Sequence, residues 1–148
     1  MCPHCGKRCW EGEGEPVTGR EADKRGTVIY IVELARPHPG VSRKGARKVA
    51  SRKRAEAPVV YVGQTVLHPE ERLHNHFIGH CASRKVRDLG LRLLDPGAEE
   101  FLPGYRLPAN TRAALRLTCA RSPEPPEPRE VEVARLLRAS GIRALYGL

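Results

Sequence analysis

No apolar run longer than about five residues occurs, far short of the roughly 20 that a membrane-crossing helix needs. Aromatic residues are scarce, 5% of 148, with one Trp and one Met. Any core must therefore be mainly aliphatic. Cysteines number five, an odd count that does not suit a disulfide-stapled secreted framework. The start, Met1-Cys2-Pro3-His4-Cys5, offers no apolar signal region. A reducing, cytoplasmic setting with no membrane partner is the expectation. Acidic residues are also outnumbered, 17 against 26 basic ones, for a net charge of +9. On a chain this small, that balance points to a polyanionic partner, most often nucleic acid. What is present suffices for a folded chain: 40% of residues are hydrophobic. The length suits one domain with a small appendage.

Two β-branched runs read as strands, 27–34 (Val28-Ile29-Tyr30-Ile31-Val32) and 58–65 (Val59-Val60-Tyr61-Val62-Gly63). Gly63 allows a bulge or close backbone approach. Between them, Arg36-Pro37-His38-Pro39-Gly40 breaks the chain, and a basic tract follows. Pro69-Glu70-Glu71 has first-turn helix chemistry and predicts a helix over 69–78. A second helix is expected over 83–94, capped by Ser83 and interrupted near Gly90. The alternation of Leu115 and Leu117 predicts a third strand within 113–118. Pro-rich 122–129 is a bend, and a last helix is expected over 128–140, stopped by Gly141. A short strand could follow in 142–146. The expected fold is a small α/β domain, with a three-stranded, mainly antiparallel sheet flanked by helices. It covers 26–148, with a basic insertion at about 36–57, behind a Cys-rich segment and linker at 1–25.

Each candidate side chain has an ordinary explanation on its own. A strand tyrosine usually sits at a core boundary, and glutamates early in a helix are common. Arg72 and His76, four apart, share one helix face. In order along the chain, Val28-Ile29-Tyr30, Tyr61-Val62-Gly63-Gln64-Thr65, Arg72-Leu73-His74-Asn75-His76 and Glu130-Val131-Glu132 resemble the motifs of the GIY-YIG nuclease family. Val28 stands where that family usually has glycine. The hairpin between the tyrosine motifs is lengthened, and 141–147 offers no asparagine.

The resemblance implies a DNA endonuclease that hydrolyses phosphodiester bonds with one Mg²⁺ or Mn²⁺. It implies that Glu130 holds the metal, Arg72 grips the scissile phosphate and Tyr30 orients or deprotonates the attacking water. Tyr61 would hydrogen-bond beside it, and His76 would share or accept a proton. The choice of Glu130 over Glu132 follows from helix geometry. Glu130 lies three before Val133 and seven before Leu137 on the apolar stripe, and Glu132 points away from it. A chain that cuts both strands would need a dimer, two sequential nicks or a partner.

The tract Arg43, Lys44, Arg47, Lys48, Arg52, Lys53, Arg54 stacks like charges at helical spacing, which is unfavourable unless an anion intervenes. It is expected to bind DNA phosphates, or else to be a solvated face. Cys2, Cys5 and Cys9, with His4, have the spacing and glycine turn of a zinc knuckle. Their Zn²⁺ would be structural or DNA-contacting, its fourth ligand being His4, Cys81 or Cys119. His76, His80 and Cys81 form a weaker zinc candidate. The rival readings are a non-catalytic nucleic-acid-binding zinc-knuckle protein and a purely structural zinc protein. Neither requires an inward glutamate.

Overall fold

The computed structural model describes residues 26–35, 58–80 and 82–147. The cysteine cluster at Cys2, His4, Cys5 and Cys9 lies outside these residues, as does the basic tract from Arg43 to Arg54. Within them, β1 (Val28–Leu34) and β2 (Val59–Thr65) form at the two β-branched runs. Their central residues are buried on both faces, which is why the runs are nearly continuous in apolar residues rather than alternating. Helix α1 (Pro69–Ile78) begins with Pro69 in its first turn, where the missing N–H costs nothing. Glu71 reaches back to the His68 amide at 3.2 Å. Gly79, at φ 85°, closes the helix in the left-handed region.

Two expectations need correction here. The helix expected over 83–94 is only α2 (Arg84–Leu89), and Gly90–Leu94 is β3. At Gly90, a Cβ would stand 2.4 Å from the Val86 carbonyl oxygen, so only glycine lets the chain leave the helix this tightly. The strand expected in 113–118 is instead part of helix α3 (Ala109–Cys119). Leu115 and Cys119, four apart, are both buried, whereas Leu117 is 81% exposed. Helical period and alanine content therefore outweigh the short alternation.

A hairpin of β4 (Glu100–Leu102) and β5 (Tyr105–Arg106), turning at Gly104, precedes α3. Helix α4 (Pro126–Ala139) and β6 (Arg143–Tyr146) complete the chain. The main sheet has four strands rather than three, in the order β3-β1-β2-β6. β1 is antiparallel to both β2 and β3, and β6 lies parallel to β2. The fold is thus mixed α/β around a mixed sheet. Glu33 faces Arg92 across β1 and β3, with an ion pair at 3.2 Å.

The sheet separates two clusters. Ile29, Ile31, Val60 and Val62 pack with Leu115, Val133, Ala134 and Leu137 of α3 and α4. Tyr30, Val32, Leu34 and Tyr61 pack on the other face with Val86 of α2 and Leu73 of α1. Because strand side chains alternate between faces, the aliphatic core takes one set and the tyrosines the other. Among the described residues, no helix is long and apolar enough to cross a membrane.

Candidate active site

The register of β1 and β2 places Tyr30 opposite Gly63 and Val32 opposite Tyr61. Tyr30 and Tyr61 therefore share a face, offset by two residues. Gly63 leaves the space that the Tyr30 ring occupies. A Cβ on Gly63 would lie 2.4 Å from both Cζ and Oη of Tyr30. The pairing is unbroken at Gly63, so its role is close approach, not a bulge.

Helix α1 brings the next side chains. Arg72 and His76 project from one face, as their spacing predicts. His76 is wholly buried, and its Nε2 lies 2.7 Å from the Tyr30 hydroxyl. Its Nδ1 accepts a hydrogen bond from the Ser83 amide at 3.0 Å. The rings of Tyr30, Tyr61 and His76 form a triangle with centroid separations of 6.0 to 6.3 Å. Arg72 donates to the His80 carbonyl at 3.4 Å and lies close enough to favour the ionised form of Tyr30.

Both ring nitrogens of His76 are engaged in hydrogen bonds, and Cys81, of the His76/His80/Cys81 alternative, lies outside the described residues. Cys119, the other cysteine offered as a fourth zinc ligand, is buried. It packs in the core with Leu115, and burial pushes its thiol up to about 12, which keeps the proton on sulfur.

Glu130 is buried in the first half of α4, 9% exposed. Among the described residues its carboxylate makes no ion pair and no hydrogen bond. Burial raises its pKa, and Glu127 adds to this. Its charge acts on Tyr61, whose pKa is raised first by burial and next by Glu130. The same charge acts more weakly on Tyr30, where burial dominates the upward shift. Glu132 instead faces outward and binds Arg135, with Nε to Oε2 at 2.9 Å. Tyr30, Tyr61, Arg72, His76 and Glu130 are thus brought into one electrostatic neighbourhood, and Glu132 is left outside it.

Burial holds the His76 pKa down to about 3, with a further downward push from Arg72. The imidazole is therefore neutral at physiological pH.

Three arginine and serine positions gave no functional signal in the sequence. Arg129, buried, donates to the carbonyls of Ala120, Thr27, Ser122 and Glu124 and to Thr27 Oγ1. It ties the start of β1, which carries Tyr30, to the first turns of α4, which carry Glu130. Arg121 similarly gathers the carbonyls of Gly26, Val66 and Leu67. A guanidinium has five donors in a fixed fork, so one side chain can hold several carbonyls. Ser83 has the sequence signature of a helix cap, and nothing in the sequence marks it as a neighbour of His76.

Among the described residues, no group of three or more His, Cys, Asp or Glu could hold a metal ion. Glu130 is the carboxylate whose charge reaches the tyrosines, with Glu127 acting on it in turn. Such a carboxylate suits Mg²⁺ or Mn²⁺, which keep several waters and take the rest of their ligands from substrate phosphate oxygens.

Comparison with family models, with curated proteins and with solved structures finds no match to this chain.

Proposed function

We propose that the chain is a metal-dependent DNA endonuclease of the GIY-YIG type, with Tyr30, Tyr61, Arg72, His76 and Glu130 as its machinery. One observation carries the reading. A buried carboxylate without a partner among the described residues acts electrostatically on two buried tyrosines, which themselves adjoin a neutral histidine and an arginine. A binding module has no use for a desolvated carboxylate, which costs folding energy unless something is bound there.

In-line hydrolysis needs an oriented water and stabilised phosphoryl charge. Arg72 supplies a planar fork of donors for the scissile phosphate. The Tyr30 hydroxyl, held by His76 and packed over Gly63, orients the attacking water. Tyr61 offers a second hydroxyl beside it. Glu130 would hold Mg²⁺ or Mn²⁺, which when bound supplies charge stabilisation to the phosphoryl oxygens. The exclusion of water from the buried side of this group strengthens each of these electrostatic contacts.

The net charge of +9 suits a DNA substrate, with Arg43, Lys44, Arg47, Lys48, Arg52, Lys53 and Arg54 as the phosphate-gripping arm. Structural Zn²⁺ on Cys2, Cys5 and Cys9 with His4 belongs to the same reading. The test is nicking of supercoiled plasmid by purified protein. Nicking with Mg²⁺ and none with EDTA supports the proposal. Binding without nicking, under Mg²⁺ and Mn²⁺ alike, returns the chain to the non-catalytic class.

A further inference from the structure

We infer that Ser83 is a positioning residue of this site: its backbone amide locks His76 in the Nε2–H tautomer, so that His76 donates to the Tyr30 oxygen rather than accepting the Tyr30 proton. The inference rests on the proposed function only for what the lock is used for.

The argument starts from what each group can do. A backbone N–H can only donate. The Ser83 N–H points at His76 Nδ1, 3.0 Å away, so Nδ1 must present its lone pair. That excludes the doubly protonated ring. A neutral imidazole carries one proton, which must then sit on Nε2. Nε2 is 2.7 Å from the Tyr30 hydroxyl oxygen, so the bond runs from Nε2–H to that oxygen. His76 has no lone pair left facing Tyr30. The Tyr30 hydroxyl must direct its own proton elsewhere, toward the water or phosphate oxygen in the site. His76 acts on Tyr30 as a fixed donor that favours negative charge on the phenol oxygen, and it cannot be the base that removes the phenol proton.

The Ser83 side chain points the same way. Serine is among the best residues at a helix N-cap, and Ser83 stands there, ahead of α2. Yet its hydroxyl makes no capping bond. It is 2% exposed and has no hydrogen-bond partner among the described residues, while lying near enough to Tyr61 to favour that phenol's ionised form. The residue faces the tyrosine–histidine group, not the helix it precedes.

Two substitutions separate the amide from the hydroxyl. Ser83→Pro removes the N–H, and proline suits the observed φ of −71°. Ser83→Ala removes the hydroxyl and keeps the N–H. The measurement is the pair of imidazole ¹⁵N shifts of His76 in protein labelled at histidine nitrogen, without DNA or metal, with His76→Gln used for assignment. The unsubstituted protein should show a protonated Nε2 and a bare Nδ1. Ser83→Ala should retain that pattern. Ser83→Pro should move protonation toward Nδ1 and slow single-turnover cleavage at least about tenfold, with DNA affinity unchanged. A proton on Nδ1 in the unsubstituted protein overturns the inference, and so does an unchanged pattern in folded Ser83→Pro. If Ser83→Pro does not fold, the spectra of the other two proteins decide. A locked tautomer in a protein that never cuts DNA supports the lock and removes the nuclease reading. Cutting by a protein with Nδ1–H does the reverse.

Discussion

The Tyr30 ring lies across Gly63, its register partner on the neighbouring strand, so closely that a single methyl on Gly63 would overlap Cζ and Oη at 2.4 Å. This contact sets where the Tyr30 hydroxyl sits relative to His76 and Arg72. It also gives the Tyr-x-Gly spacing of 61–63 a physical meaning. Tyr61 and Gly63 share a face, one filling it and the other leaving room for Tyr30.

Gly63→Ala is therefore expected to displace the Tyr30 ring. The overpacking should cost about 1–3 kcal/mol of stability, read by urea denaturation. Cleavage should fall at least about 10²-fold, because misplacement by 1 Å is enough for that. A double-mutant cycle with Tyr30→Ala isolates the cause. Tyr30→Ala should cost less stability in the Gly63→Ala background than alone. Equal costs in both backgrounds would place the damage elsewhere.

His76 predicts how stability depends on pH. Its folded-state pKa is pushed down to about 3, mainly by burial, from 6.5 in the unfolded chain. Between these values the unfolded state binds the extra proton, so stability rises with pH. The contribution is fully present above about 6.5 and is lost as pH falls from there toward 3. Thermal midpoints measured between pH 7 and 4 should fall less steeply in His76→Gln than in the unsubstituted protein. Parallel profiles would mean that His76 titrates normally and is not buried as neutral.

Arg129 should be among the most costly polar positions to change. Its guanidinium serves four carbonyls and a hydroxyl, and charge-assisted bonds of this kind contribute roughly 1.5–3 kcal/mol each. Arg129→Lys keeps the charge but not the fork. It should lose at least about 3 kcal/mol in urea denaturation. A loss under about 1 kcal/mol would show that the loops hold themselves.

Much of this arrangement is legible in the sequence, for reasons that differ by element. β1, β2 and α1 follow from composition, because β-branched runs and a Pro-Glu-Glu start leave few alternatives. Helix spacing alone joins Arg72 to His76 and sets Glu130 apart from Glu132. What misled was local. Leu115 and Leu117 alternate over too few residues to tell a strand from a helix, and only the burial of Leu115 with Cys119 decides it. The chain turn at Gly90 depends on clearance from the Val86 carbonyl, which no spacing rule encodes. The parallel pairing of β6 with β2, which makes the sheet four-stranded, depends on where α4 returns the chain. Ser83 and Arg129 act through a backbone amide and through carbonyls. Such partners have no residue-type signature, so neither role could be read from the chain.

The basic tract is tested by salt. Replacing Arg43, Lys44, Arg47 and Lys48 by alanine should weaken DNA binding. Each lost phosphate contact should also take roughly 0.9 from the slope of log affinity against log salt. An unchanged slope would make the tract a solvated face.

The most direct test of the central claim is single-turnover DNA cleavage in Mg²⁺, measured beside DNA affinity, for the unsubstituted protein, Glu130→Gln and Tyr30→Phe. Glu130→Gln keeps the shape of the side chain and removes the charge that would hold the cation. It should lower cleavage at least about 10²-fold and leave DNA binding equal or tighter, since a repelling carboxylate is gone. Tyr30→Phe removes one hydroxyl and should also cost at least about 10²-fold in rate, with little change in affinity. Near-native cleavage by both variants would contradict the assignment of these residues as a nuclease site.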